Sequence, residues 1–196
     1  TSVADDEAAQ ESTSLADIPD EGPLDPSVFD GLFDVLAEAH RSLDKAARNR
    51  KVDSGEALNI EALGFDASGE RLLVGLRSPV VDGHGLIIVI ENPDDIFERG
   101  ARPVIAQEPW FLDLEKGGIR GLVYDPQLEG HLIISRREDK KAKPFKLWFW
   151  NGDLAQKPQR VRIADVDNIE RAEGITPILQ GDARRLLIVF DDGNAL

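Results

Sequence analysis

Three stretches of this chain can be laid over one another. "IEALGFDASGERLLVGLR" runs from Ile60, "IRGLVYDPQLEGHLIISRR" from Ile119 and "AEGITPILQGDARRLLIVFDD" from Ala172. Each opens with a small or apolar residue, a charged residue and a small residue. A short strand, a turn holding Asp or Gly, an apolar strand and a charged end follow. The charged starts are Glu61, Arg120 and Glu173, spaced 120 − 61 = 59 and 173 − 120 = 53 residues apart. A unit of roughly 50 residues with about four short strands is the pattern of a β-propeller, in which each unit forms a blade and buries its faces against its neighbours. A β-sandwich with coincidental spacing is the alternative.

The strands of that pattern read as "RLLVGL", "GLIIVI", "GLVYD", "HLIIS", "KLWFW", "QRVRI" and "RLLIVF", short runs rich in β-branched and aromatic residues and separated by Gly, Pro, Asp and Asn. No second helical period accompanies them. The expected fold class is all-β: a partial β-propeller of about two to three four-stranded blades over residues 51–196, preceded by one α-helix. The helix belongs to residues 25–50, where Phe29, Leu32, Phe33, Leu36, Ala39, Leu43 and Ala47 recur at helical spacing over 27–48. Asp25 or Ser27 can cap it, and Pro26 is tolerated in a first turn. Its apolar stripe is expected to pack on the domain. Residues 1–24 are acidic, small and polar, with too little apolar surface to offset the entropy of ordering, and read as a flexible tail.

A ring takes four to eight blades, so the repeat falls short of closing. The missing blades are expected from a longer chain or from another subunit. The chain begins at Thr1 and contains no methionine, as a processed product or a piece of something longer would.

Charge and composition narrow the functional classes. A net charge of −14 repels phosphate backbones, which argues against nucleic acid as a partner. No apolar run approaches the roughly 18 residues of a membrane-spanning helix. With no cysteine there is no disulfide framework, thiolate metal site or thiol nucleophile, and the compartment stays open between cytoplasm and periplasm. No G-x-S-x-G or HExxH pattern occurs, and His40, His84 and His131 have no metal-ligand spacing.

What remains is the charge at strand ends. Calcium takes carboxylate, amide and carbonyl oxygens; Asn59, Glu61, Asp167, Asn168, Glu170, Glu173, Asp191 and Asp192 stand at strand starts or ends, with Glu61, Glu173 and Asp191 the leading metal candidates. Arg77, Arg120, Arg136 and Arg137 fall at comparable points, and Arg77, Arg120 and Arg136 are the candidates for an anionic ligand, since a guanidinium grips carboxylate or phosphate through two parallel bonds. The bland reading is that these arginines only neutralise facing carboxylates. In "KPFKLWFWNGD", Trp148 and Trp150 share one strand face, and the expectation for them is packing between blades rather than ligand stacking.

"LNIEALGFDASGERLLVGLRSPVVDGHGLIIVIENP" resembles the bacterial family called domain of unknown function 3616, and "FLDLEKGGIRGLVYD" is similar to another of its segments. The resemblance spans residues 26–196, with Ala62 where the family usually has Gly. It implies a propeller-like fold distantly similar to esterase-like phytase propellers. Related hydrolases hold calcium in the channel, which would give Glu61 and Glu173 a role in polarising a phosphate or ester oxygen. Two functions follow as expectations: a platform for a small anionic ligand or a protein partner, and, as the alternative, a calcium-assisted phosphoesterase or esterase.

Overall fold

The computed structural model describes residues 35, 40–49, 55–137, 144–164, 169–180 and 183–191. Among the described residues the strand signals become ten strands in three antiparallel sheets. The first sheet has the order β1 (Asn59–Phe65), β2 (Leu72–Val81), β3 (His84–Ile90), β4 (Trp110–Leu112). The second has β5 (Gly118–Asp125), β6 (Gly130–Arg136), β7 (Lys146–Trp150) and β8 (Gln159–Val161), again in chain order. The third pairs β9 (Ala172–Gln180) with β10 (Ala183–Phe190). Open meanders of four, four and two strands, with β1 packed on β5 and β5 on β9, form the architecture of a partial propeller.

Strand faces explain the runs. In β3, Ile87 and Val89 point to one side and Leu86, Ile88 and Ile90 to the other, and all five are buried. A strand covered on both faces reads as continuous apolar sequence. The first interior layer joins Ala62, Leu73, Ile87 and Val89 to Ile119, Leu122, Ile133, Trp148 and Trp150 of the second sheet. Both tryptophans are thus packing residues, as expected. A second layer joins Leu132, Ile134 and Leu147 to Ile175, Leu186 and Ile188 of the third sheet.

The sheets approach closely where side chains are smallest. A Cβ on Gly118 would lie 1.8 Å from the Arg77 carbonyl oxygen, so β5 can begin against the end of β2 only with glycine there.

The helix expected over 27–48 falls largely outside the described residues, as does the 1–24 tail; the described part, α1 (Arg41–Arg48), is helical. Leu43 and Ala46 pack on Val74, Leu76, Leu86, Ile88 and Ile90, the face of the first sheet turned away from the second. No described helix is long and apolar enough to cross a membrane.

The expectation of no further helix is overturned by α2 (Pro93–Arg99). Seven residues make two turns, too few for a periodic signal in an 11–18-residue window. End signals carry this helix instead. Pro93 opens it, Asp94 and Asp95 sit in its first turn, and Gly100 closes it at φ 62°, its N–H donating to the Ile96 carbonyl oxygen while the Ala101 N–H donates to that of Asp95.

Candidate functional site

The charged start of each repeat is a β-bulge. In the β1–β2 pair, Ile60 faces Leu76 and Ala62 faces Gly75, leaving Glu61 as an extra residue on β1; Asn59 faces Ser78, leaving Arg77 extra on β2. In β5–β6, Ile119 faces Ser135 and Gly121 faces Ile134, with Arg120 between them unmatched. In β9–β10, Val189 faces Gly174 and Phe190 faces Ala172, with Glu173 unmatched. A one-residue bulge breaks the alternation and re-aims the inserted side chain. The same device at the same point of three sheets turns a charge out of each inner strand.

Antiparallel pairing also settles which ends share a rim. The start of the first strand in each sheet lies beside the end of the second, so Glu61 sits with Arg77, Arg120 with Arg136, and Glu173 near Asp191, which follows β10. The Asp191 N–H donates to the Arg171 carbonyl oxygen at 3.0 Å.

Five residues form a continuous array. Arg77 Nη1 donates to Glu61 Oε1 at 2.7 Å, and Arg120 Nη1 donates to Glu61 Oε2 at 3.0 Å, joining the first two sheets. Arg120 is buried, at 5 % exposure, while Glu61 and Arg77 are about a quarter exposed, at 23 % and 24 %. The guanidiniums of Arg120 and Arg136 lie 5.3 and 5.2 Å from the Phe145 ring centroid. Cation–π attraction holds both over the ring. Phe145 is legible in the sequence only as part of an apolar strand approach; its role as a floor for two arginines depends on sheet stacking.

Among the described residues, no three His, Asp or Glu side chains gather closely enough to hold a metal ion, so Glu61, Glu173 and Asp191 do not form one cluster within this chain. Both Glu61 oxygens accept from arginine. Asp167, Asn168 and Asp192 lie outside the described residues. Asn59 faces Ser78 at the start of β1, Glu170 is in an exposed turn, and Arg137 follows β6.

The histidines divide by environment. His40 meets the Phe111 ring edge-on at 5.8 Å, and His84 Nδ1 lies 3.1 Å from the Asp82 carbonyl oxygen in its turn. His131 is different: 3 % exposed, it lies between Tyr124 and Trp150, with ring centroids at 5.2 and 5.3 Å. Neither ring nitrogen makes a hydrogen bond of good geometry among the described residues. Burial holds its pKa below the usual 6.5, opposed in part by the Phe65 backbone and the Asp66 carboxylate. The unfolded chain therefore binds a proton that the folded chain refuses. The contribution of this site to stability is complete above about pH 6.5 and falls as pH drops towards the folded-state pKa. Urea titrations from about pH 7.5 down to about pH 5 are expected to show this loss, and His131→Phe to flatten it; an unchanged slope in His131→Phe would rule the imidazole out as its source.

Stacked antiparallel meanders with charges turned out of their inner strands define the class: an all-β, bladed protein with a polar rim. Residues 51–195 match the family described as "Protein of unknown function (DUF3616)", and the chain belongs to that family. No match was found among the curated proteins or among the solved structures.

Proposed function

We propose that this protein is a binding platform whose rim takes a small anionic ligand, with Arg77, Arg120 and Arg136 as the recognising residues. The observation that carries the reading is the repeated bulge, which aims charged side chains from equivalent points of adjacent sheets. Arg77, Arg120 and Arg136 share one array there with Glu61, in a chain whose net charge is −14. A guanidinium has five donors in a fixed fork, so an arginine that holds Glu61 can present another edge to an oxyanion. Glu61 acts as the positioning residue that orients two of the forks. Desolvation of Arg120 strengthens its pull on an anion relative to the same group in water.

Thermal unfolding with inorganic phosphate tests the reading. A ligand that binds only the folded state stabilises it by mass action, by about 2.7 kcal/mol at a hundredfold excess over Kd. The midpoint is expected to rise with phosphate and to lose that rise in Arg136→Gln and in Arg77→Gln. A flat response to phosphate, with a rise in calcium that Glu173→Gln removes, would replace the anion site by a cation site.

A further inference from the structure

The loop from β7 to β8 holds the one Asn-Gly step of the chain, Asn151-Gly152. It begins at the end of β7 away from Lys146 and the rim, and residues 151–157 are all exposed. The side-chain amide of Asn151 is turned back on its own backbone: the Asp153 N–H donates to Asn151 Oδ1 at 3.2 Å. Between the two lies a nucleophile for that amide, the backbone nitrogen of Gly152. Gly152 sits at φ 88°, and a Cβ built on it would meet nothing within 4 Å. The loop is thus open to water at this point, and no side chain on Gly152 crowds the approach of its nitrogen to Asn151 Cγ.

We propose that Asn151 is a self-modification site, converted by water to aspartate and isoaspartate through an intramolecular succinimide. The Gly152 nitrogen gives its proton to solvent and attacks Asn151 Cγ, forming an N–Cγ bond. Charge develops on Oδ1, where the Asp153 N–H already points. A backbone donor aimed at the oxygen of a tetrahedral intermediate stabilises it. The Cγ–Nδ2 bond then breaks, and the nitrogen takes a proton from solvent and leaves as ammonia. Water opens the cyclic imide. Addition at Cγ gives aspartate; addition at the backbone carbonyl carbon gives isoaspartate, whose main chain runs through Cβ and Cγ. Water enters and ammonia leaves, with no oxidation or reduction.

None of the other asparagines precedes a glycine. Pro93 follows Asn92 and has no N–H to lose. Ile60 follows Asn59 and Ile169 follows Asn168, and their β-branched side chains hinder ring closure. Arg50 follows Asn49 and Ala195 follows Asn194, so a side chain stands beside the attacking nitrogen there too.

The isoaspartate product reaches the core through Asp153. The Asp153 carbonyl oxygen accepts from Trp150 Nε1 and from the Gln156 N–H, each at 3.0 Å, and its carboxylate accepts from the Ala155 N–H at 2.8 Å. An extra main-chain carbon between Trp150 and Asp153 moves that carbonyl away from the indole, and a new carboxylate appears near that of Asp153. A surface reaction thereby releases a hydrogen bond of a core tryptophan.

Incubation of the full chain in mildly alkaline buffer, followed by mass spectrometry of the tryptic peptide Leu147–Arg160, tests the site. Both products are expected to accumulate there, ahead of any change at the other asparagines. The native rate is expected to equal or exceed that of the same chain in guanidinium chloride, because the Asp153 donor is in place only in the folded loop. A slower native rate would mean that the turn shields Asn151, and it overturns the proposal. So does aspartate as the sole product, which is direct hydrolysis without Gly152. In the deamidated fraction, separated by ion exchange, the Trp150 indole N–H is expected to exchange with deuterium faster than in the unmodified chain; equal exchange overturns the assigned effect on Trp150.

Discussion

Trp150→Ala should lower the free energy of unfolding by about 4 kcal/mol, within the range for removing a large aromatic side chain from a core. Trp150 is 1 % exposed and lies in the layer between the first and second sheets. Its ring meets Trp110 edge-on at 5.7 Å and His131 at 5.3 Å, and its Nε1 donates to the Asp153 carbonyl oxygen at 3.0 Å. Truncation leaves a void bounded by two sheets that cannot close on it without shifting β1 and β5 together. Urea unfolding followed by the remaining tryptophans measures the loss, and Trp150→Phe should recover part of it. A cost below about 1 kcal/mol would mean that the sheets slide to fill the space, contrary to the rigid stacking described above.

Glu61→Ala should cost about 3 kcal/mol, near the low end for removing one partner of a buried pair because Glu61 keeps some contact with water. Two arginines on two different sheets donate to this carboxylate, and one of them, Arg120, is buried. Removing it takes from Arg120 an acceptor that water replaces poorly. The effect should therefore couple to Arg120 more strongly than to the more exposed Arg77. Double-mutant cycles with Arg120→Met and Arg77→Met measure this, with coupling energies expected in the range of about 0.5–3 kcal/mol for residues in contact. Independent, additive effects in both cycles would reduce the array to a surface ion pair.

Much of the architecture is legible in the order of the residues alone. All seven strands expected from apolar runs are present; the longest runs, β3 and β6, are apolar along their middle because both of their faces are buried. The short β4, "WFL", gives no such signal: three residues carry no alternation to detect. Nor does α2, whose support lies in its ends. Rim positions come from a different signal, the recurrence of a charge between small or apolar residues at Glu61, Arg120 and Glu173.

What the amino-acid sequence determined by itself is therefore local or periodic: all-β content, the spacing of the repeats, and which charged residues stand at strand ends. Only the tertiary structure decided which of those charges meet. A bulge is an offset between two paired strands and belongs to neither strand alone, so the turning-out of Glu61, Arg120 and Glu173 cannot be seen in any one of them. The bond from Arg120 to Glu61 spans 59 residues and exists because β5 packs on β1. The seat of Arg120 and Arg136 over Phe145 depends on the same packing. Burial then sets the chemistry: stacking the sheets removes water from Arg120 and His131, and for the imidazole of His131 that removal lowers the pKa.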